Sequence, residues 1–312
     1  MAVGPFLGET SDASTAPLGA DAAGHGADDE DPMVIAQMAG GLGNQMFQYA
    51  LCQSFVSKGV KVKLDISTFQ AGYVHNGYEL ERIFGLQEDY CSRSERAIVK
   101  ALSKVLHVLF KYPYKEKKEW QWVHHPEVHD IRFGFLKGYW QSEKYFAESG
   151  DIIRAKFTFP VLIDERNRAV QDAMANSNAV SLHIRRGDYL RSDLGCSLNI
   201  EYYLNAMALM NERVTDPNYF IFSDDIEWAR EHIRECRATF IDWNTGANSF
   251  VDMHLMSLCR HNIIANSSFS WWSAWLNRNP SKLVLAPGQW MPGVKDDRDV
   301  LPETWVRVAT LF

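Results

Sequence analysis

Two adjacent arginines, Arg185 and Arg186, follow directly on the apolar run Val180-Ser181-Leu182-His183-Ile184 and are followed by Gly187 and Asp188. Val180, Leu182 and Ile184 alternate as in a buried strand. A strand that delivers two guanidinium groups into a turn is suited to gripping phosphate, because each guanidinium is a rigid fork of donors that matches phosphate oxygens. In open α/β sheets, ligands collect where the strands end. The competing reading is a strand end that merely carries surface arginines.

Two more apolar runs end in polar clusters. Tyr219 to Ser223 runs into Asp224-Asp225, and Asn262 to Ala265 runs into Asn266-Ser267-Ser268-Phe269-Ser270. In a parallel sheet all three ends lie on one edge and compose a nucleotide site. The arginines would hold phosphates. Ser268 and Ser270 would sit at a helix start, whose N–H groups favour anions. Asp224 or Asp225 would accept the two N–H donors of a guanine edge; as a helix N-cap, either has a purely structural role instead. A fourth cluster lies near the N-terminus, where Met33 to Ala39 reads as a strand. It leads into Gly40-Gly41-Leu42-Gly43-Asn44-Gln45 and an apolar helix-like run from Met46. Strand, glycine loop and helix place backbone N–H groups of Gly41 and Gly43 toward a ligand, with Asn44 able to reach a sugar or phosphate. The spacing is neither that of a dinucleotide fingerprint nor that of a P-loop.

Composition narrows the partners. The chain has 312 residues, with 39 acidic and 32 basic. Seven of the acids fall in residues 1–32, which hold no Lys or Arg, so the remainder is balanced at 32 against 32. Nothing favours nucleic acid or an anionic surface overall, and an anion site has to be local. Cys52, Cys91, Cys196, Cys236 and Cys259 are scattered and odd in number, which suggests neither a disulfide framework nor a zinc site and fits a reducing, cytoplasmic setting. His124, His125 and His129 cluster, but Pro126 interrupts them and no Cys or carboxylate pair completes a ligand set, so no metal site is expected. No transmembrane helix or secretory signal is evident.

The elements that position these clusters alternate between strand and helix along the chain, which predicts a parallel α/β sheet. Residues 1–32 read as a disordered leader or an added extension. Phe159-Pro160 reads as the boundary between a first domain, residues 33–160, and a second α/β domain, residues 161–312, which carries the three polar strand ends. Ala97 to Phe110 is an amphipathic helix, read as packed on a sheet, with a membrane-surface role as the other reading. Lys111 to His129 and Phe135 to Phe146 are aromatic segments of the kind on which sugars stack.

The blocks Gly40–Ala50, His183-Ile184-Arg185-Arg186-Gly187-Asp188, Phe222-Ser223-Asp224-Asp225, and Asp252-Met253 through Asn266 to Trp272 resemble the signature blocks of the bacterial α-1,2-fucosyltransferases, glycosyltransferase family 11. The resemblance covers residues 33–312. It implies a GT-B-like fold of two Rossmann-type domains facing a cleft. It also implies GDP-β-L-fucose as donor, inverting transfer to the 2-hydroxyl of a terminal galactose (on lactose, for example), and no metal cofactor. On that resemblance His183 lies against the nucleotide. Arg186, with Arg185, neutralises the leaving β-phosphate. Asp188 orients an arginine or faces the reacting centre, Asp225 or Asp224 reads guanine, and Ser268, Phe269 and Ser270 close on the pyrophosphate. Asn44 reaches the donor or the reacting hydroxyl. Asp188, Asp65 and Glu81 are the candidates for the proton acceptor. A protein O-fucosyltransferase and a non-catalytic carbohydrate- or nucleotide-binding protein are the alternatives.

Overall fold

The computed structural model describes residues 33–69, 75–110, 122–191, 196–234, 237–310 and 312. The expected leader over 1–32, the aromatic stretch 111–121 and Cys236 lie outside them. The described residues form one compact unit.

The first half builds a three-stranded parallel sheet from β1 (Met33–Gln37), β2 (Lys61–Asp65) and β3 (Gly134–Leu136), in the order β2-β1-β3. Between β1 and β2 runs α1 (Leu42–Val56), buried on nearly every side. Burial all round marks a helix enclosed by the fold rather than one lying on its surface. Its polar residues are satisfied internally: Gln45 donates to the Gly40 and Gly77 carbonyls at 3.0 and 2.9 Å, and Gln48 donates to the Gly138 carbonyl at 2.8 Å. The sequence placed the helix start near Met46. It starts at Leu42 instead, with Gly41 as the N-cap, so Gly43, Asn44 and Gln45 stand on the first turn of α1 and not in a loop. Gly40 alone makes the tight turn, at φ +82. Short α2 (Leu80–Phe84) and long α3 (Arg93–Phe110) follow β2, and α4 (Gly150–Lys156) follows β3.

The second half is a six-stranded, wholly parallel sheet. Its strands are β4 (Asn178–Ile184), β5 (Pro217–Ser223), β6 (Ala238–Ile241), β7 (His261–Ile263), β8 (Val284–Pro287) and β9 (Val306–Val308), in the order β6-β5-β4-β7-β8-β9. Counted from β4 this is 3-2-1-4-5-6, the Rossmann order. The helices are α5 (Glu165–Ala175), α6 (Gly187–Arg191), α7 (Ile200–Arg213), α8 (Ile226–His232), α9 (Phe250–Leu258) and α10 (Ser268–Leu276). The strand β9 carried no sequence signal, because three residues alternating around Arg307 are too short to register as a period. The two parallel sheets give the expected α/β, GT-B-like architecture.

The halves share one apolar core. Phe47 of α1 packs against Trp271 and Trp272 of α10 with ring centroids 4.5 and 5.0 Å apart, and Phe146 stacks on Trp272 at 5.4 Å. The three indole N–H groups of α10 find acceptors: Trp271 the Val300 carbonyl at 2.7 Å, Trp272 the Gly43 carbonyl at 2.9 Å, and Trp275 the Glu143 carboxylate at 3.1 Å. The C-terminal segment returns to the first half, where Asp299 accepts from the His124 backbone N–H at 2.8 Å and from Lys144 at 2.6 Å.

Candidate active site

In the second sheet the strand order reverses between β4 and β7. In open α/β sheets this switch point is where a ligand crevice opens beyond the carboxyl ends of the strands. The ends of β5, β4 and β7 are neighbours there, so the three polar clusters do share one edge.

Register fixes the details. Ile184 of β4 lies opposite Ser223 of β5, so the residues that follow, Arg185-Arg186 and Asp224-Asp225, emerge side by side. Arg185 forms ion pairs with Asp188 at 2.9 Å and Asp224 at 3.0 Å. Burial opposes the Arg185 charge, but the two carboxylates overcome it and raise its proton affinity. Arg186 Nε donates to Asp225 at 3.1 Å, its backbone N–H donates to Asp224 at 2.8 Å, and its guanidinium lies 3.9 Å from the centroid of the Trp228 ring. The two arginines are therefore held in fixed geometry before any ligand arrives, the condition under which charge stabilisation is most effective. Gly187 permits this, because a Cβ there would stand 2.9 Å from Asp224 Oδ2.

The structure thus engages Asp224 and Asp225 with the arginines, where the sequence reading had one of them accept a guanine edge. Asp225 is also the N-cap of α8, accepting from Trp228 N–H at 3.3 Å. Asp188 supports Arg185. His183 is buried with its ring 5.7 Å from that of Phe269, and Nδ1 has no hydrogen-bond partner within the protein. Burial, with Arg185 adding to it, lowers its pKa to about 3, so the imidazole is neutral. On α10 the N-cap is Ser267, which accepts from Phe269 N–H at 3.3 Å. Ser268 and Phe269 form the half-buried start of the helix. Ser270 is fully buried, and its hydroxyl donates to the Ala265 and Ser267 carbonyls at 3.2 Å, so it shapes the backbone of the turn.

The first sheet brings its own switch point to the same place. Beyond β1, Gly43 of α1 abuts the backbone of Ser268 and Phe269 so closely that a Cβ would stand 2.5 Å from the Ser268 carbonyl carbon. Asn44, one residue on, accepts from Gln141 Nε2 at 2.6 Å, while Gln141 Oε1 is buried without a partner. Gln141 follows Trp140, a non-glycine residue at φ 54. Strained backbone of this sort persists only where the surroundings hold it. The described part of the aromatic segments turns inward: Trp140, Tyr145 and Phe146 are core residues, and His124 contacts His129 at 3.3 Å through their Nε2 atoms.

The profile of Glycosyl transferase family 11 matches residues 96–308. The chain belongs to glycosyltransferase family 11. Among its relatives, this family 11 enzyme is 33% identical over 291 residues to an alpha-1,2-colitosyltransferase of Escherichia coli, covering 88% of this chain and 99% of that one. It is 27% identical over 215 residues to a galactoside alpha-(1,2)-fucosyltransferase 1 of Saimiri boliviensis boliviensis, covering 63% of this chain and 58% of the relative. Among solved structures, the fucosyltransferase NodZ of Bradyrhizobium superposes with a TM-score of 0.47 at 13% identity, over 78% of this chain and 92% of that one.

Three residues at the site had escaped the sequence reading. Gln141 lies in an aromatic run and Ser267 beside the two serines chosen. The third, His75, lies beside Gly41, where a Cβ would be 3.6 Å from its Nδ1. Asp188 and Arg185 act on the imidazole from the other half: burial lowers its proton affinity, Asp188 raises it and Arg185 lowers it. Its neighbours pin the loop to both halves, Gly77 through Gln45 at 2.9 Å and Asn76 through the Gly246 carbonyl at 2.9 Å. A histidine before Asn-Gly in a turn carries no period or spacing that would single it out.

Proposed function

We propose that this glycosyltransferase moves L-fucose from GDP-β-L-fucose to the 2-hydroxyl of a terminal galactose, inverting the anomeric centre and needing no metal. The observation that carries the reading is the pre-set pair Arg185 and Arg186 at the switch point of the second sheet, beside the α10 start that packs on Gly43 of the other half. The acceptor oxygen bonds to fucose C1 as the bond from C1 to the β-phosphate oxygen breaks, and the electron pair leaves with GDP. The two guanidinium groups stabilise the charge that grows on the diphosphate. The first turn of α10 supplies N–H groups to the same anion. Neutral His183 offers the nucleotide a hydrogen-bonding ring without adding charge.

The proton of the attacking hydroxyl needs an acceptor. Asp65 is buried in an ion pair with Arg96 at 3.1 Å, and Glu81 accepts from the Tyr90 hydroxyl at 3.1 Å. Asp188 is paired with Arg185. His75, beside Gly41 and within the field of Asp188, is the group this reading assigns: burial and Arg185 lower its proton affinity, and Asp188 favours the imidazolium that would form. Asn44, oriented by Gln141, positions the acceptor sugar.

The test is transfer from GDP-fucose to lactose, with the product linkage determined and EDTA added in parallel. A fucosyl-α-1,2-galactose product unaffected by EDTA supports the reading; absence of product, or loss of activity with EDTA, removes it. The similarity to a colitosyltransferase favours a second donor, GDP-colitose, whose sugar is fucose without its 3-hydroxyl. Comparing kcat/KM for the two donors decides between them.

A further inference from the structure

We propose that the outer face of α3 docks the enzyme on an anionic lipid surface. The inner face of the helix is accounted for: Val99 is buried, Ser103 accepts from the Phe135 backbone N–H at 2.8 Å, and Arg96 reaches Asp65. The outer face is apolar. Ile98, Leu102, Val105, Val108 and Leu109, spaced at three, four and seven residues so that they form one stripe, are between 46% and 78% exposed. An exposed apolar stripe of this length on a helix is unusual for a water-facing surface and marks a docking site.

Charge selects the occupant. Lys100 and Lys104 are exposed along one side of the stripe, Lys100 with its ammonium 5.4 Å from the Phe135 ring centroid; the one acid of the helix, Glu95, stands one turn before Ile98 and its charge is paired with Lys63 at 2.5 Å. The next eleven residues of sequence carry four lysines against two glutamates, so the positive character continues beyond the helix. Apolar side chains that enter the headgroup boundary, with lysines at their side meeting lipid phosphates, define an interfacial amphipathic helix. A second copy of this chain is a poorer match, because pairing the stripe with itself brings the two lysine rows together. Among the described residues no helix is long and apolar enough to cross a membrane, so the helix would lie on the surface.

The experiment is co-sedimentation of the full chain with vesicles of phosphatidylglycerol and phosphatidylcholine, against phosphatidylcholine alone, at low and high salt. Wild-type protein is expected to sediment with the anionic vesicles and to be released several-fold by salt. The variant Ile98→Ser, Leu102→Ser, Val105→Ser, Leu109→Ser is expected to stay in the supernatant with an unchanged thermal midpoint and unchanged transfer to a soluble acceptor. Lys100→Glu with Lys104→Glu is expected to weaken binding at least tenfold. Wild-type protein that ignores anionic vesicles, or a serine variant that still binds them, overturns the proposal. So does a wild-type dimer that the serine variant converts to monomer, which would assign the face to a second copy.

Discussion

Gly43 and Ser268 meet backbone to backbone where the starts of α1 and α10 cross, at a separation that leaves no room for a Cβ on Gly43. The Trp272 indole N–H locks the contact by donating to the Gly43 carbonyl at 2.9 Å. Two elements more than two hundred residues apart in sequence are thereby joined beyond the carboxyl ends of β1 and β7.

Gly43→Ala forces these backbones apart. Overpacking of this kind costs about 1–3 kcal/mol. Urea unfolding of the variant should show that loss, with a fall in transfer rate because α10 moves away from the proposed diphosphate position. Unchanged stability and rate would mean the close approach is not maintained in solution.

Arg186→Lys keeps the positive charge but loses the fork that joins Asp225 and the stacking on Trp228. Transfer should drop by about 10²–10³-fold. The thermal midpoint without nucleotide should change little, and the stabilisation by GDP should shrink. A variant with wild-type kcat would exclude Arg186 from leaving-group stabilisation.

His75→Gln removes the proposed proton acceptor and should lower kcat by about 10²–10⁴-fold, with the KM for the donor little changed. The pH profile is more specific. The proton affinity of His75 lies below the ordinary imidazole value, so wild-type activity should hold through neutral pH and fall only below about pH 6.5, as the ring becomes protonated. The variant should lack that acid limb. An identical limb in both proteins would assign the proton to another group.

Asp252 gives a stability prediction. Burial raises its pKa from 3.8 to about 7, opposed by the hydrogen bond from Asn244 at 2.8 Å. The folded state therefore holds this proton more tightly than the unfolded state. Its contribution is full below about pH 4, falls as pH rises to about 7, and is then level. Asp252→Asn keeps an acceptor for Asn244 and removes the titration. At about 1.4 kcal/mol for each tenfold change in proton affinity, the variant should gain on the order of 2–4 kcal/mol over wild type at pH 8 relative to pH 4. Parallel denaturation at the two pH values measures it; a difference independent of pH would rule out a titrating Asp252.

Much of the architecture was legible because it is written in short-range patterns. The alternation of Val180, Leu182 and Ile184 and the polar residues closing β4, β5 and the segment after β7 are periodicities and breaks that any local window detects. Their meeting on one edge followed from the parallel connections that alternating strands and helices require. The start of α1 was less legible: it begins at Leu42, before the apolar run, with a glycine N-cap that makes no side-chain hydrogen bond and a first turn packed on the backbone of α10 rather than marked by an apolar stripe.

The sequence by itself determined that this chain is a parallel α/β protein with twin arginines at a strand end, and its motif blocks pointed to glycosyltransferase family 11. Tertiary structure alone decided what those arginines face. The one-to-one register of β4 on β5 turned Asp224 and Asp225 into their supports, since side chains at paired strand ends emerge within a few ångströms whatever their distance in sequence. The first turn of α1 gathered His75 beside Gly41 and Gln141 on Asn44, and the crossing with α10 set that turn against the second half. Such contacts depend on the shape of two packed surfaces, and no local sequence period encodes that shape.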